Sequence, residues 1–497
     1  MVIGARRYHF GVAHSRGRLS GMGLDWSNQP SLFKGYAGLD LVDLPRQADL
    51  PEVSLAGAMQ PGATGALGAE GLSAVLFHAA GLTRAAAQRG GEFFYRACPS
   101  AGALYPCEIY LAWPGGDGLE AGVYHYDVAR HGLTPLRAGF PDLAGLGLPA
   151  RSAAAGEAVF FVTGIFFRSA WKYRLRAYRY LNLDAGHVAE GLALGLGAYR
   201  AAHAVETDFD DAAVARLLGI DPSREGCLCA VRFSASGAGQ GGGQLATPGP
   251  LPEGASGASR CAMADTVPEE VLAVHEACSQ LERSQAAVPD VEHSRLGRGL
   301  VWHDLPHLPG PAERMHLFEA MSSRRSRRAY TSTPLSGGAL AKVLGSLSGP
   351  LRHPSGASAE HACQMGLLAG EGGAQMTGFS LLDRFGRRTG LRRDGNMVPV
   401  MAGICLDQLW MRDAAVHALF LVDFAETEPC LGDRGYRTAL QAAGRLGHRL
   451  YLAAEALGLG ACGVGAFFDA EASDVLGLPD QAGLAYVVAL GVPRKGE

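Results

Sequence analysis

Apolar and polar positions alternate along this chain in blocks that predict strands and helices in two regions, 51–235 and about 311 to the end. In the first region Glu108–Trp113 and the aromatic run Gly122–Asp127 read as strands. Ala158–Phe167 is the longest strongly apolar stretch, and Cys227-Leu-Cys229 lies in a further run with the pattern of a buried strand. In the second region Thr438–Leu457 is apolar nearly all round. That predicts a helix buried in a core or an interface, where Gly444, Gly447 and Ala454 would let a neighbour approach closely. Between the regions, Ser236–Ser259 is dominated by Gly, Pro, Ser and Ala, the composition of a flexible linker. Pro268–Gln285 then shows a helical pattern, with Val271, Leu272, Val274, His275, Cys278 and Leu281 on one face. Residues 1–50 show no regular period.

The two regions repeat one another. Arg176–His187 resembles Arg434–Arg445, with Tyr178 opposite Tyr436. The same offset pairs Arg179 with Arg437, Ala185 with Ala443, Gly186 with Gly444, Leu192 with Leu450, Ala198 with Ala456 and Gly219 with Gly477. One register held over such a span predicts a duplicated domain. The expected organisation is an N-terminal extension (1–50), a first domain (51–235), a Gly/Pro-rich linker plus helix (236–310) and a second domain (311–497).

Composition narrows the function classes. With 48% hydrophobic residues the chain can bury two cores, and the 69 glycines have no collagen period. A net charge of −4 gives no nucleic-acid footprint. No stretch has the length of a membrane span, and MVIGARRYHF has no apolar signal core. The ten cysteines form no C-x-x-C and read as reduced core thiols, so a cytoplasmic protein with no metal site is expected.

Four segments could carry chemistry. Pro99-Ser-Ala-Gly-Ala-Leu-Tyr-Pro106 fixes φ at both ends and offers bare backbone N–H groups between them, which serves a ligand or a structural turn equally. Arg324-Arg-Ser-Arg-Arg328 concentrates four guanidiniums around a hydroxyl, suited to a phosphate or to a solvated basic turn, and Arg494 in the tail is a further basic group that could reach the same anion. Lys172 and Tyr173 sit together after Trp171. A desolvated lysine can act as a base, and a neighbouring tyrosine can carry its proton. Gly460-Ala-Cys-Gly-Val-Gly465 follows a helix, so it is not a dinucleotide fingerprint. It could bring backbone N–H groups to a flat cofactor or form a tight helix-to-strand turn.

In order, Pro99–Pro106, Gly122–Asp127, Lys172-Tyr173 and Tyr178–His187 resemble the SagB/ThcOx-type dehydrogenases of the nitroreductase-like flavoprotein superfamily. Leu24–Pro30 and Phe33–Tyr36 are similar to the lead-in of such proteins. Arg324–Arg328 resembles the superfamily's flavin-phosphate motif, and Gly458–Gly465 its loop beside the flavin ring. The resemblance implies an α+β fold: two tandem nitroreductase-like domains, each a central, mostly antiparallel sheet with flanking helices, forming an intramolecular pseudo-dimer. The alternating pattern alone permits a doubly wound sheet instead.

The resemblance further implies FMN as cofactor, with oxidation of a thiazoline or oxazoline in a modified peptide to the azole and molecular oxygen as electron acceptor. Arg324, Arg325, Ser326 and Arg327 would hold phosphate and ribityl groups, with Arg494 as an extra phosphate contact. Gly463, Val464 and Gly465 would face the ring, and Pro99, Ser100 and Ala101 would close over the cofactor from the other copy. Lys172 and Tyr173 would be the catalytic, proton-handling pair. The losses in the two copies are complementary. Copy one lacks an arginine cluster. Copy two has only Pro354–Ser358 opposite the Pro-Ser segment, and neither Lys nor Tyr in Glu426–Gly435. One composite FMN site per chain is therefore expected, in a monomeric pseudo-dimer or a homodimer. A cyclodehydratase is a possible partner, with neither nucleic acid nor membrane involved. Flavin chemistry on another small molecule, such as quinone or nitro reduction, and a non-catalytic scaffold in a peptide-modifying complex are the alternatives.

Overall fold

The computed structural model describes residues 3–18, 23–46, 49–60, 64–88, 91–148, 156–236, 248–281, 284, 286–305, 314–352, 357–371 and 377–494. The tip of the linker, most of Pro354–Ser358 and Lys495 lie outside the described residues. The chain forms two compact units. The first comprises Gly23–Leu281 with Arg352–Ser355, and the second comprises Met1–Met22, Glu282–Leu351 and Gly356–Glu497.

In the first unit β1 (Val42–Asp43) is followed by a separate hairpin, β2 (Leu82–Gln88) and β3 (Gly91–Arg96). Then come β4 (Cys107–Trp113), β5 (Gly122–Asp127), β6 (Gly132–Ala138), β7 (Gly156–Ile165), β8 (His203–Glu206) and β9 (Glu225–Ala235). They make a seven-stranded sheet in the order β1-β6-β5-β4-β7-β9-β8, antiparallel at every pair. The second unit contains β10 (Trp302–Asp304), β11 (Gln364–Ala369), β12 (Gly378–Asp383), β13 (Arg388–Arg393), β14 (Val416–Asp423), β15 (Gly460–Val464) and β16 (Ala482–Gly491). Its order, β10-β13-β12-β11-β14-β16-β15, is the same arrangement strand for strand, again wholly antiparallel. A doubly wound sheet, which needs parallel strands, is excluded.

The register read from Tyr178 and Tyr436 holds beyond the long helix. The helices Phe166–Tyr173 and Phe424–Leu431 coincide under it, as do Asp211–Leu218 and Asp469–Leu476. The long helices themselves, Ala177–Ala198 and Arg434–Ala456, are buried along their whole length, but they are not apolar all round: Arg179, Glu190, Arg437, Arg445 and Arg449 are buried with the rest. Glycine makes the first one fit: a Cβ on Gly191 would press on Ala79, and one on Gly197 would overlap the Ala58 carbonyl. All ten cysteines are buried, and none forms a disulfide. No described helix is long and apolar enough to cross a membrane.

Segments outside 51–235 complete the first unit. Lys34 Nζ reaches Glu225 Oε2 on β9 at 2.5 Å and Tyr110 Oη on β4 at 2.6 Å, all fully buried. Thr163 and Ser259 hydroxyls also donate to Glu225, at 2.6 and 2.7 Å. Burial alone would raise the Glu225 carboxyl, but the Lys34 charge and these donors hold it below its ordinary value. A buried ion is tolerable only when so paired, and removing one partner strands the other. Lys34→Met is therefore expected to destabilise the first unit by about 3–5 kcal/mol. An earlier urea transition would show it, and a Lys34→Met/Glu225→Gln double variant should recover part of the loss.

Candidate functional site

In the first unit the Pro99–Pro106 segment is a tight loop in unusual backbone. Gly102, Ala103 and Tyr105 have φ of 64°, 54° and 45°, a left-handed region that side-chain-bearing residues seldom occupy. Several contacts hold it there. Tyr105 N–H donates to Ser100 Oγ at 2.9 Å, and Tyr105 Oη donates to the Phe94 carbonyl at 3.1 Å. Ser100 Oγ in turn donates to Asp184 Oδ2 at 2.5 Å, and Ala101 N–H donates to Asp184 Oδ1 at 3.2 Å.

Lys172 and Tyr173 end the short helix Phe166–Tyr173, which Arg174 terminates at φ 51°. Buried Arg168 anchors this helix. Its Nη1 donates to the Tyr105 carbonyl at 3.0 Å and to Glu108 Oε1 at 2.5 Å, and its Nε donates to the Ser31 carbonyl at 2.8 Å. Burial would raise Glu108, but the Arg168 charge and the His125 hydrogen bond hold it at about 2. Trp171 Nε1 donates to the Asp25 carbonyl, and its ring meets Trp26 edge-on. The Leu24–Pro30 segment therefore braces the helix next to Lys172. Tyr173 stacks on Tyr180, with ring centroids 4.1 Å apart. The pair and the loop come together: a Cβ built on Gly102 would lie 2.8 Å from Tyr173 Oη and 2.9 Å from Lys172 Nζ. Gly102 is thus required twice, by its φ and by the Lys172 and Tyr173 side chains lying over it.

In the second unit the arginine cluster follows the helix Leu317–Ser323. Ser326 bridges to Ala461, and Arg327 N–H donates to the Ala461 carbonyl, so the segment runs along β15 at the sheet's edge. Arg324 is buried with its guanidinium 5.4 Å from the Tyr451 ring centroid. Ser326 Oγ lies 3.1 Å from Tyr451 Oη. Glu455, one turn further along the helix, is raised by burial although Arg327 and Arg324 pull it down. Arg324, Arg325 and Arg327 outnumber Glu455, and guanidiniums with a hydroxyl fit a phosphate such as that of FMN.

The glycine-rich stretch differs from its expected role as a loop. Gly460–Val464 is strand β15, paired along β16. Gly463 N–H donates to Tyr451 Oη at 2.6 Å, and a Cβ there would overlap Tyr486 Oη. The Val464 side chain belongs to the core, and Gly465 follows the strand. Gly460 packs against Arg327 and Tyr330, and Gly463 against Tyr486. Arg494 uses its Nε on the Tyr330 carbonyl at 2.7 Å and its Nη2 on Asp413 at 3.2 Å, so its partners lie outside the Ser326 group. Among the described residues no cluster of His, Cys, Asp and Glu could hold a metal ion.

Two residues stand in these sites unforeseen: Tyr451 and Asp184. Each sits among other polar residues of a buried helix (Arg179, Asn182, His187 and Glu190 around Asp184; Arg445, His448, Arg449 and Glu455 around Tyr451), so the sequence does not set it apart. Burial pushes Asp184 up to about 7, against the downward pull of Ser100 and Ala101. Between its ordinary value of 3.8 and 7 the folded chain keeps a proton that the unfolded chain has lost, so stability falls as pH rises through that window. Above it, the ionised carboxylate costs on the order of 4 kcal/mol. Asp184→Asn is expected to melt several degrees above the wild type at about pH 8, with the gap narrowing at about pH 5. Calorimetry at the two pH values checks this, and a gap independent of pH would refute it.

Comparison with known proteins fits this architecture. The nitroreductase family model matches residues 72–234 and 394–492, more than half of the chain. The putative nitroreductase MJ1384 of Methanocaldococcus jannaschii is 34% identical over 134 residues, 25% of this chain and 64% of that protein. The trifolitoxin-processing protein TfxB of Rhizobium leguminosarum bv. trifolii is 41% identical over 108 residues, 20% of this chain and 28% of that protein. The chain therefore spans less than two thirds of either relative. The crystal structure of a putative nitroreductase from Anabaena variabilis matches over 99% of both chains, with a TM-score of 0.73 and 26% identity. The chain belongs to the nitroreductase family.

Proposed function

We propose that this chain is an FMN-dependent oxidoreductase that removes two hydrogens from a thiazoline or oxazoline ring in a modified peptide, giving the azole. The observation that carries the reading is the placement of Lys172 Nζ and Tyr173 Oη together over Gly102 in a strained, tightly held loop. The partial likeness to a trifolitoxin-processing protein supports a peptide substrate; a cyclodehydratase would be the partner that forms the azoline. FMN, when bound, would supply the two-electron acceptor, and molecular oxygen would take the electrons on, ending as hydrogen peroxide.

In this reading Arg324, Arg325, Ser326 and Arg327 hold the phosphate. Lys172 and Tyr173 receive the ring proton while the second hydrogen leaves with the electron pair. The Tyr180 ring beneath Tyr173 keeps the hydroxyl from swinging away. The complementary retention of motifs in the two copies argues for one FMN per chain. Reduction of nitro compounds or quinones is the second reading, favoured by the family and by the names of two matched proteins.

Purified protein is expected to carry one FMN per chain by absorbance and to lower the mass of a synthetic thiazoline-containing peptide by two hydrogens in air. Lys172→Ala should cut this turnover by about 100-fold or more with FMN retained, and Tyr173→Phe by about tenfold or more. Two FMN per chain would exclude the single site. NAD(P)H-driven reduction of a nitroaromatic, with the peptide untouched, would favour the second reading.

A further inference from the structure

Asp184 is buried on the long helix Ala177–Ala198, which is buried throughout and mostly apolar. Among the described residues no Lys, Arg or His pairs with it. Its partners are the Ser100 hydroxyl and the Ala101 N–H. A buried carboxylate without a cation is an expensive thing for a fold to keep. The second copy does without it. In the register that pairs Ala185 with Ala443, Asp184 falls on Ala442, which is also buried. In the same register Lys172 and Tyr173 fall on Cys430 and Leu431. The acid and the Lys-Tyr pair thus occur together in one copy and are missing together from the other.

The contacts give the reason. Ser100 Oγ donates to Asp184 and accepts from Tyr105 N–H, so one hydroxyl closes the loop on itself and ties it to the helix. Between these two anchors lie Gly102 and Ala103, both left-handed. Such backbone persists only where its surroundings over-determine it. Lys172 and Tyr173 lie against the middle of that stretch, at Gly102.

We infer that Asp184 is a positioning residue: through Ser100 and the Ala101 amide it holds the Pro99–Pro106 loop so that Gly102 seats Lys172 and Tyr173. This rests on the proton-handling reading of that pair. An ionised Asp184 accepts from both donors, and an asparagine can keep the Ala101 contact while weakening the Ser100 one. An alanine loses both.

The chain has four lysines, Lys34, Lys172, Lys342 and Lys495, so the reactivity of each can be followed by peptide mass. The rate of reductive methylation is measured at Lys172, with Lys342 as internal control, in the purified protein and in Asp184→Asn and Asp184→Ala. The expected result is a change at Lys172 of about threefold or more in Asp184→Ala, a smaller one in Asp184→Asn, and none at Lys342. With the thiazoline peptide, kcat should fall about tenfold or more in Asp184→Ala while KM holds. Melting curves show that each variant is folded, and Asp184→Asn decides the matter if Asp184→Ala is not. A Lys172 rate equal to wild type in the folded variants overturns the inference. Wild-type turnover in Lys172→Ala would instead overturn the reading beneath it, and the methylation rates would still decide whether Asp184 sets the position of Lys172.

Discussion

One buried guanidinium organises the chemistry-bearing end of the first unit. Arg168 joins four pieces of chain: its own short helix, β4 through Glu108, the Pro99–Pro106 loop through the Tyr105 carbonyl, and the N-terminal segment through Ser31. Nη1 serves both Tyr105 and Glu108 while Nε serves Ser31, all on one rigid planar group, so the four pieces cannot shift independently. Glu108 is kept ionised for this purpose, with His125 on its other oxygen. Lys172 and Tyr173 sit one turn beyond Arg168 and inherit its placement. Asp184 does the same for the loop from the other side.

The duplication was legible because it is written twice, in one register that survives in helix lengths to the residue. The antiparallel sheet follows from the family resemblance, but the order of its strands does not follow from the sequence, since apolar runs of strand length do not say which neighbours they pair with. The role of the extensions was hidden for a different reason. Lys34 and Ser259 sit in irregular or linker-like sequence, and only the fold shows both meeting Glu225 in the interior. Composition reads a segment's own propensities, and these two are held by distant partners.

The glycine-rich stretch answers to two demands that the sequence does not separate. A flavin approaching backbone and an aromatic ring packed on backbone make the same demand on sequence, a missing side chain. Here the second demand is met by Tyr486 against Gly463 and by Tyr330 and Arg327 against Gly460. Asp184 and Tyr451 escaped for the converse reason. One polar residue among several in a buried helix is not marked out by the pattern, yet each of these makes hydrogen bonds to other segments of the chain.

The two copies share one fold but differ in the residues set on it. After the short helix the chain must turn through a positive φ in both units. The second uses Gly432 and the first uses Arg174, at 59° and 51°. Glycine meets that demand at little strain, and arginine does not. The first copy accepts the strain directly beside Lys172 and Tyr173, and accepts a buried acid beneath them. The second has Cys430, Leu431 and Ala442 at the matching places, choices that packing alone would make. At these matched positions the first copy carries a strained residue, a lysine and a buried acid, and the second carries none of them. That contrast, inside a single chain, is the physical reason to regard the first copy's loop as the working end of a proton site.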